Sequence, residues 1–239
     1  MLKAVLFDLD GTLLPVDTDE FVEAYFELLT KKLVPFGYEK NDFIKTIWSG
    51  VKAMTYNDGT KSNKDAFWEA YEAKYGKDII EKHTPVFNDF YVNEFKQIKN
   101  YCKPNPKAKE IIEELKKMGL KVILATNPLF PLSGLITRTE FIDLNENDFD
   151  YITSYENSSF AKPNPKYFEE ILKKNGFKKD EVIMFGNNEI EDGSGAIGSG
   201  IKTYMVGDYI IKDKENRNKF EYLKFDDIIL KVKEMYKEL

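Results

Sequence analysis

The amino-acid sequence predicts an α/β fold, with a doubly wound parallel-sheet (Rossmann-like) core and an inserted α-helical cap. Short apolar segments alternate with amphipathic helical patterns through most of the chain, as in βαβ units. Residues 15–104 interrupt this alternation with helical patterns alone, and they hold 17 of the chain's 34 aromatic residues. Carboxylate-rich turns follow two of the apolar segments. We therefore expect a sheet-based core, a helical insertion and a ligand site at the carboxyl edge of the sheet.

The first predicted strand covers residues 3–9, which are almost all apolar and therefore suit a strand buried on both faces. Helical patterns separate the later apolar runs, and the two kinds of segment together predict a parallel sheet. The further strands are predicted at 121–125, 151–153, 182–185 and 202–206, and the helices between them at 107–118, 166–174 and 192–199.

Within residues 15–104, aromatic residues recur at helical spacing, as in Phe21 and Tyr25 or Phe87 and Tyr91. This pattern predicts a helical bundle with a small core of its own. The chain leaves the sheet after the first strand and returns before the second, with hinges near 14–16 and 102–104. The expected division is an α/β core of 1–14 plus 105–239 and a cap of 15–104.

Composition narrows the class of protein further. The 239 residues carry a formal net charge of −6, which disfavours nucleic-acid binding through a basic surface. No apolar run reaches the roughly 18 residues of a membrane span, and the start of the chain lacks a signal-peptide pattern. Cys102 is the only cysteine, which fits a reducing compartment. We therefore expect a cytoplasmic protein that binds neither nucleic acid nor membrane.

Carboxylates are the best candidates for reactive groups, because His83 is the only histidine and is expected in a surface loop. Asp8 and Asp10 stand at the carboxyl end of the first strand, and residues two apart in a strand point the same way. Two such carboxylates repel each other unless a cation or a shared proton offsets them, so a Mg²⁺ site is reasonable. Gly11 permits a sharp turn directly afterwards. The alternative is an Asp-rich turn with no chemical role.

Four short segments extend this interpretation over the whole chain. They are FDLDGTL at 7–13, LATN at 124–127, AKP at 161–163 and GNNEIEDG at 186–193. In this order, each beside the expected strand or helix, they resemble the four signatures of the haloacid dehalogenase-like hydrolases. The insertion between the first two segments resembles the helical cap of that family.

The resemblance implies a role for each matching residue. Asp8 is implied as the nucleophile that forms an aspartyl-phosphate, and Asp10 as the acid and base that also offers its backbone carbonyl to Mg²⁺. Thr126, with the Asn127 backbone N–H, is implied to bind a phosphate oxygen, and Lys162 to supply positive charge. The second aspartate favours phosphate esters over carbon–halogen bonds, because a halide leaving group needs no proton.

The fourth segment departs from the family pattern. Family members commonly have aspartate where this chain has Asn187, whose amide oxygen can bind Mg²⁺ but brings no charge. Asp192 stays in register and is the preferred metal carboxylate of this segment. Asn187 is the second candidate, and Glu191 is a third that would restore the missing charge.

Together these features predict a Mg²⁺-dependent phosphatase that acts on a small phosphorylated metabolite, a phosphomonoester, through an aspartyl-phosphate. Two alternatives stay open: a phosphomutase of a sugar phosphate, and a catalytically weak member that only binds a ligand. The cap is expected to cover the site, with Trp48, Met54, Tyr56 and Trp68 as candidates for lining it. Substrate identity and oligomeric state lie beyond the sequence.

Overall fold

The computed structural model of the protein describes residues 1–215 and 217–237, and within these residues six parallel strands form one sheet. The strands are β1 (Ala4–Phe7), β2 (Lys121–Leu124), β3 (Tyr151–Ile152), β4 (Val182–Gly186), β5 (Lys202–Val206) and β6 (Glu221–Leu223). Their order across the sheet is β3-β2-β1-β4-β5-β6. The predicted α/β fold with a parallel sheet is therefore confirmed, and β6 is a strand that the sequence patterns did not reveal.

Helices cover both faces of the sheet, and alternate residues of β1 enter two separate cores. Val5 and Phe7 belong to a large cluster, whereas Ala4 and Leu6 pack in a smaller one with α7. This explains why β1 reads as a continuous apolar run instead of an alternating one. The helices of the core are α5 (Pro106–Lys117), α6 (Leu132–Thr139), α7 (Pro165–Asn175), α8 (Gly195–Gly198) and α9 (Ile228–Lys237).

The strand register brings the ends of three strands to one level. Phe7 pairs with Leu124 of β2 on one side and with Phe185 of β4 on the other. The Asp8 N–H donates to the Phe185 carbonyl at 2.9 Å, which continues the ladder by one residue. The segments after β1, β2 and β4 therefore meet at one point, between the strands where the order of the sheet reverses.

The segment between β1 and β2 is helical, in agreement with the predicted insertion. Side chains of Asp17, Glu39 and Ser62 accept hydrogen bonds from first-turn N–H groups and begin three of its helices. The two connections to the core lie side by side, since the Lys103 N–H donates to the Pro15 carbonyl at 2.9 Å. The domain limits at 14/15 and 104/105 stay predictions. The elements are α1 (Thr18–Leu33), α2 (Lys40–Thr55), α3 (Asn63–Tyr75), α4 (Lys77–Val92) and a 3₁₀ segment (Glu94–Tyr101).

The structure corrects one local expectation and shifts the start of a predicted helix. His83 lies inside α4 and is buried, not in a surface loop, because the helix continues through Pro85. An internal proline costs a helix about 3 kcal/mol, which the burial of Phe87 and Phe90 on the same helix offsets. The helix expected at 192–199 instead begins as a π-helical turn, Glu189–Ser194, and continues as α8.

No helix in the described part of the chain is both long and apolar enough to cross a membrane. The cytoplasmic location stays a prediction.

Candidate active site

Lys162 connects two carboxylates that are far apart in sequence. Its Nζ atom donates to Asp8 Oδ1 at 2.8 Å and to Asp192 Oδ1 at 2.5 Å. Lys162 lies just before α7, Asp8 directly after β1, and Asp192 in the turn after β4. The ammonium group is completely buried, so these two carboxylates replace the water that it gives up.

Negative charge exceeds positive charge around Lys162, because two carboxylates contact one ammonium group. Burial and the Asp192 carboxylate raise the pKa of Asp8 to about 8, against the opposing effect of the Lys162 ammonium. Burial disfavours the charged form of Lys162, but Asp192 and Asp8 outweigh it and raise the pKa of the lysine above its usual value. One cation therefore serves two carboxylates, and burial beside Asp192 opposes the ionisation of Asp8.

Backbone donors fix Asp192 in the turn after β4. Its Oδ2 atom accepts the N–H groups of Asn187 and Asn188, each at 3.0 Å. A Cβ atom at Gly186 would lie only 2.3 Å from that same oxygen, so glycine is required for this close approach. Asp192 is 1% exposed, so its position is set by these donors and by Lys162 and not by solvent.

Asn127 joins the second and fourth segments through its side chain. Its Nδ2 donates to Glu191 Oε2 at 3.0 Å, and its Oδ1 accepts a hydrogen bond from the backbone N–H of Lys162 at 3.2 Å. Burial, with Asp192 nearby, raises the pKa of Glu191. The sequence suggested only the backbone N–H of Asn127, so this amide side chain adds a contact that motif reasoning missed.

Both the nitrogen and the oxygen of the Asn187 side-chain amide form hydrogen bonds. Nδ2 donates to the Tyr209 carbonyl at 2.7 Å, and Oδ1 accepts the Thr12 hydroxyl at 3.4 Å. Gly11 has a φ of +79°, and a Cβ atom there would lie 2.1 Å from Asn187 Nδ2. The turn after β1 therefore packs directly against the asparagine that replaces the family's aspartate.

The buried Thr126 brings a hydroxyl to the same place, and its loop is fixed by two hydroxyl donors. The Thr126 carbonyl accepts hydrogen bonds from Thr153 Oγ1 and from Tyr167 Oη, both at 2.8 Å. All the residues predicted from the four segments therefore lie at one end of the sheet. They are Asp8, Asp10, Thr126, Asn127, Lys162, Asn187, Glu191 and Asp192.

Arg138 is a site residue that sequence reasoning missed. It lies in α6 and is 1% exposed, and its Nη1 atom donates to Asp10 Oδ2. Its guanidinium group lies over the rings of Phe130 and Phe21, with its central carbon 4.5 and 5.3 Å from the ring centroids. Arg138 is one of only two arginines in a lysine-rich chain and occurs in an apolar helix, which is the signal that could have identified it.

A cavity of about 300 Å³ lies above these groups, between the core and the helical insertion. Asp8, Thr126 and Asn127 lie at one end of it, and side chains from α1 and α2 form much of the rest. Of the four residues predicted to line it, Trp48 and Met54 do so.

The other two predicted lining residues lie elsewhere. Tyr56 is exposed, and Trp68 packs against Phe67, Tyr71 and Phe87 inside the insertion. Neither candidate lines the cavity: Trp68 fills the core of the helical bundle, as aromatic residues there commonly do, and Tyr56 faces solvent.

A parallel α/β core covered by helices, with carboxylates grouped around a buried lysine at the strand ends, defines an enzyme of the capped α/β type. The family model described as "Hydrolase: haloacid dehalogenase-like hydrolase" matches residues 2–200. The chain belongs to the haloacid dehalogenase-like hydrolases, as its four sequence segments predicted.

Curated relatives match over nearly the full length. Pyrophosphatase PpaX of Halalkalibacterium halodurans is 28% identical over 222 residues, which cover 92% of this chain and 90% of the relative. Phosphoglycolate phosphatase of Aquifex aeolicus is 28% identical over 207 residues, which cover 86% of this chain and 84% of the relative.

Solved structures show the same fold. A phosphatase of this family from Thermococcus onnurineus superposes with a TM-score of 0.59 at 17% identity, covering 97% of this chain and 98% of the other. CbbY from Rhodobacter sphaeroides, in complex with phosphate, superposes with a TM-score of 0.58 at 17% identity, covering 93% and 94%. At this identity the likeness concerns the fold alone.

Proposed function

We propose that the protein is a phosphatase that hydrolyses a small phosphomonoester through an aspartyl-phosphate on Asp8. The observation that carries the proposal is the pairing of Asp8 with the buried Lys162 at the polar end of the cavity. A carboxylate held there by a cation can reach a phosphorus atom that lies in the cavity. The names of the two curated relatives, a pyrophosphatase and a phosphoglycolate phosphatase, support a small phosphate compound as substrate.

In the first step, an oxygen of Asp8 attacks phosphorus while the bond from phosphorus to the leaving oxygen breaks. Asp10 gives its proton to that oxygen, so the alcohol leaves uncharged. The Lys162 ammonium offsets the negative charge that collects on the phosphoryl oxygens. The Thr126 hydroxyl and the Asn127 backbone N–H hold those oxygens in place.

In the second step, Asp10 takes a proton from a water molecule, whose oxygen attacks the same phosphorus. The bond from phosphorus to Asp8 breaks, inorganic phosphate forms, and the Asp8 carboxylate is restored. Asp10 lines the cavity beside Asp8, as both proton transfers require. One difficult displacement is thereby divided into two easier ones.

The oxygen atoms of the site fit a divalent cation such as Mg²⁺. One ammonium group, that of Lys162, stands between the Asp8 and Asp192 carboxylates, so negative charge exceeds positive charge at this point. Mg²⁺ needs only one or two carboxylates together with water and substrate phosphate. This agrees with the lack, among the described residues, of a cluster of three or more acidic, histidine or cysteine side chains around one point.

Asp8, the backbone carbonyl of Asp10, Asn187 and Asp192 would hold such an ion. Glu191 is a weaker candidate, because its carboxylate already accepts the Asn127 amide. When bound, the ion would neutralise carboxylate charge and polarise a phosphoryl oxygen.

Phosphate release from a panel of phosphomonoesters tests the proposal, with Asp8→Asn as the blank. We expect turnover that needs added Mg²⁺, and none with Asp8→Asn. Mass spectrometry of Asp10→Asn after brief exposure to para-nitrophenyl phosphate, whose leaving group needs no proton, should show one phosphoryl group, removable by hydroxylamine. Turnover that survives Asp8→Asn would refute the mechanism. Isomerisation of a sugar phosphate without phosphate release would favour a phosphomutase instead.

A further inference from the structure

The cavity has two chemically different parts. Asp8, Thr126 and Asn127 form a polar end, where the phosphoryl group would lie. The remainder is mostly apolar and is formed by α1, α2 and the segment before α6, through Phe21, Phe26, Trp48, Val51, Met54 and Phe130. A leaving group attached to a phosphoryl group at the polar end therefore extends among aromatic and aliphatic side chains.

No lysine, arginine or histidine among the described residues lines this cavity. The guanidinium group of Arg138 stacks on Phe130 and Phe21, two residues of the lining, but it pairs with Asp10 and does not itself line the cavity. Lys162 is completely buried under the polar end. A negative charge on the leaving group would therefore leave bulk water for a lining that offers it no cationic partner, which is unfavourable.

Three tyrosines, Tyr25, Tyr91 and Tyr155, line the cavity and bring hydroxyl groups without a positive charge. The hydroxyls of Tyr25 and Tyr91 lie 3.0 Å apart and form a hydrogen bond with each other. Burial raises the pKa of Tyr25 to about 12, so this phenol stays neutral. The lining thus offers area for apolar contact and few free polar groups.

We infer that the substrate is a phosphomonoester whose leaving group is uncharged and apolar, an aromatic ring or a short aliphatic chain. This inference rests on the proposed phosphatase activity and names its substrate class. The cavity volume of about 300 Å³ is at the small end of the range for ligand sites, roughly 300–1,000 Å³. A single ring joined to the phosphoryl group by one or two atoms suits that space.

Three esters with similar alkyl oxygens test this inference: methyl phosphate, benzyl phosphate and para-carboxybenzyl phosphate. We expect kcat/KM for benzyl phosphate to exceed that for methyl phosphate at least about tenfold, through apolar contact. It should exceed that for the carboxylated ester at least about a hundredfold, because the carboxylate would be buried unpaired. Asp8→Asn supplies the blank for each ester.

The outcomes separate the two proposals. Equal or faster turnover of para-carboxybenzyl or methyl phosphate would overturn the apolar substrate class and leave the phosphatase intact. Absence of turnover above the blank for every ester would overturn the phosphatase itself, and the substrate class with it.

Trp48 provides an independent test by substitution. It is 47% exposed at the cavity wall and packs on Phe26 with ring centroids 5.4 Å apart, so a polar replacement is compatible with folding. Trp48→Arg places a cation in the cavity wall. It should lower the ratio of kcat/KM for benzyl phosphate to that for para-carboxybenzyl phosphate about tenfold. Trp48→Leu, the matched apolar variant, should retain the preference. An unchanged ratio in a folded Trp48→Arg would count against the inference.

Discussion

Arg138 holds Asp10 by one oxygen only. The guanidinium group donates to Oδ2, whereas Oδ1 is buried and has no hydrogen-bond partner among the described residues. The aromatic faces of Phe130 and Phe21 cover the rest of the guanidinium group. One oxygen of the carboxyl group is thus fixed in position while the other stays free to carry a proton, as a general acid requires.

Arg138 is therefore expected to act on proton transfer through the position of Asp10. Arg138→Lys should lower kcat for benzyl phosphate, whose leaving oxygen needs a proton, by up to about 10²-fold. It should lower kcat for para-nitrophenyl phosphate much less, because nitrophenolate leaves without one. Steady-state kinetics of the wild type and the variant give the loss of kcat for each of the two esters. Arg217→Lys, a change at the chain's other arginine, is the control, and equal losses on both esters would indicate a purely structural role.

Asp8→Asn should raise the stability of the metal-free protein. Because the pKa of Asp8 is raised from 3.8 to about 8 in the folded state, its ionisation opposes folding. The penalty is absent below about pH 4, grows between about pH 4 and pH 8, and is complete above that range. Melting temperatures in EDTA should therefore diverge in favour of Asp8→Asn as the pH rises. A variant that melts below the wild type at pH 9 would contradict this assignment.

Asp10→Asn should change stability in the opposite direction. It leaves the guanidinium group of Arg138 buried without an ionic partner, and breaking a buried pair costs about 3–5 kcal/mol. The Asp10 side chain is 25% exposed, so the lower end of that range is expected. Urea unfolding of Asp8→Asn and Asp10→Asn under the same conditions measures the change in the free energy of unfolding that each causes. Equal changes in the two variants would refute this prediction.

Lys162→Met should reduce both activity and stability. Asp8 and Asp192 would then face each other with no cation between them, and the loss of one electrostatic donor costs about 10²–10³ in kcat. The stability loss should shrink at low pH, where Asp8 is protonated in the folded state. Kinetics and melting curves measured from pH 5 to pH 9 check both effects. Lys162→Arg, which keeps the charge, should lose less stability at high pH.

Asn187→Asp should tighten Mg²⁺ binding at the expense of the metal-free fold. The added carboxylate raises the charge of the donor set. The substitution also removes the hydrogen bond from Asn187 Nδ2 to the Tyr209 carbonyl, at a cost of about 1–3 kcal/mol. We expect half-maximal activity at a lower Mg²⁺ concentration and a lower melting temperature in EDTA. An unchanged Mg²⁺ requirement would place Asn187 outside the metal site.

The strands and their common edge could be predicted because buried parallel strands leave continuous apolar runs in the sequence. The register that aligns Phe7 with Leu124 and Phe185 then places three of the four segments together, and the Lys162–Asp8 contact adds the fourth. Side-chain networks leave no such pattern. Arg138 contacts Asp10 across 128 positions of sequence, and only its burial in an apolar helix hints at that contact.

His83 shows a second limit of prediction from sequence, where a local signal gives the wrong structure. A proline two residues later favours a loop on local grounds, yet the tertiary burial of the aromatic face of α4 maintains the helix. Glu191 shows a third limit, since its partner Asn127 belongs to a different loop. In each case a contact between segments distant in sequence determines the local structure, and local propensity cannot predict that contact.

The hydrogen bond between Lys103 N and Pro15 O gives the insertion entry and exit points that almost touch. A segment whose ends meet can change its length or sequence with little effect on the strands that it interrupts, because the cost of closing the loop grows only slowly with its length. Under the proposed function, the core would carry out the reaction and the insertion would contribute most of the contacts to the leaving group. An exchange of residues 15–103 for another helical insertion should transfer the preference for a leaving group while the same aspartate continues to attack phosphorus.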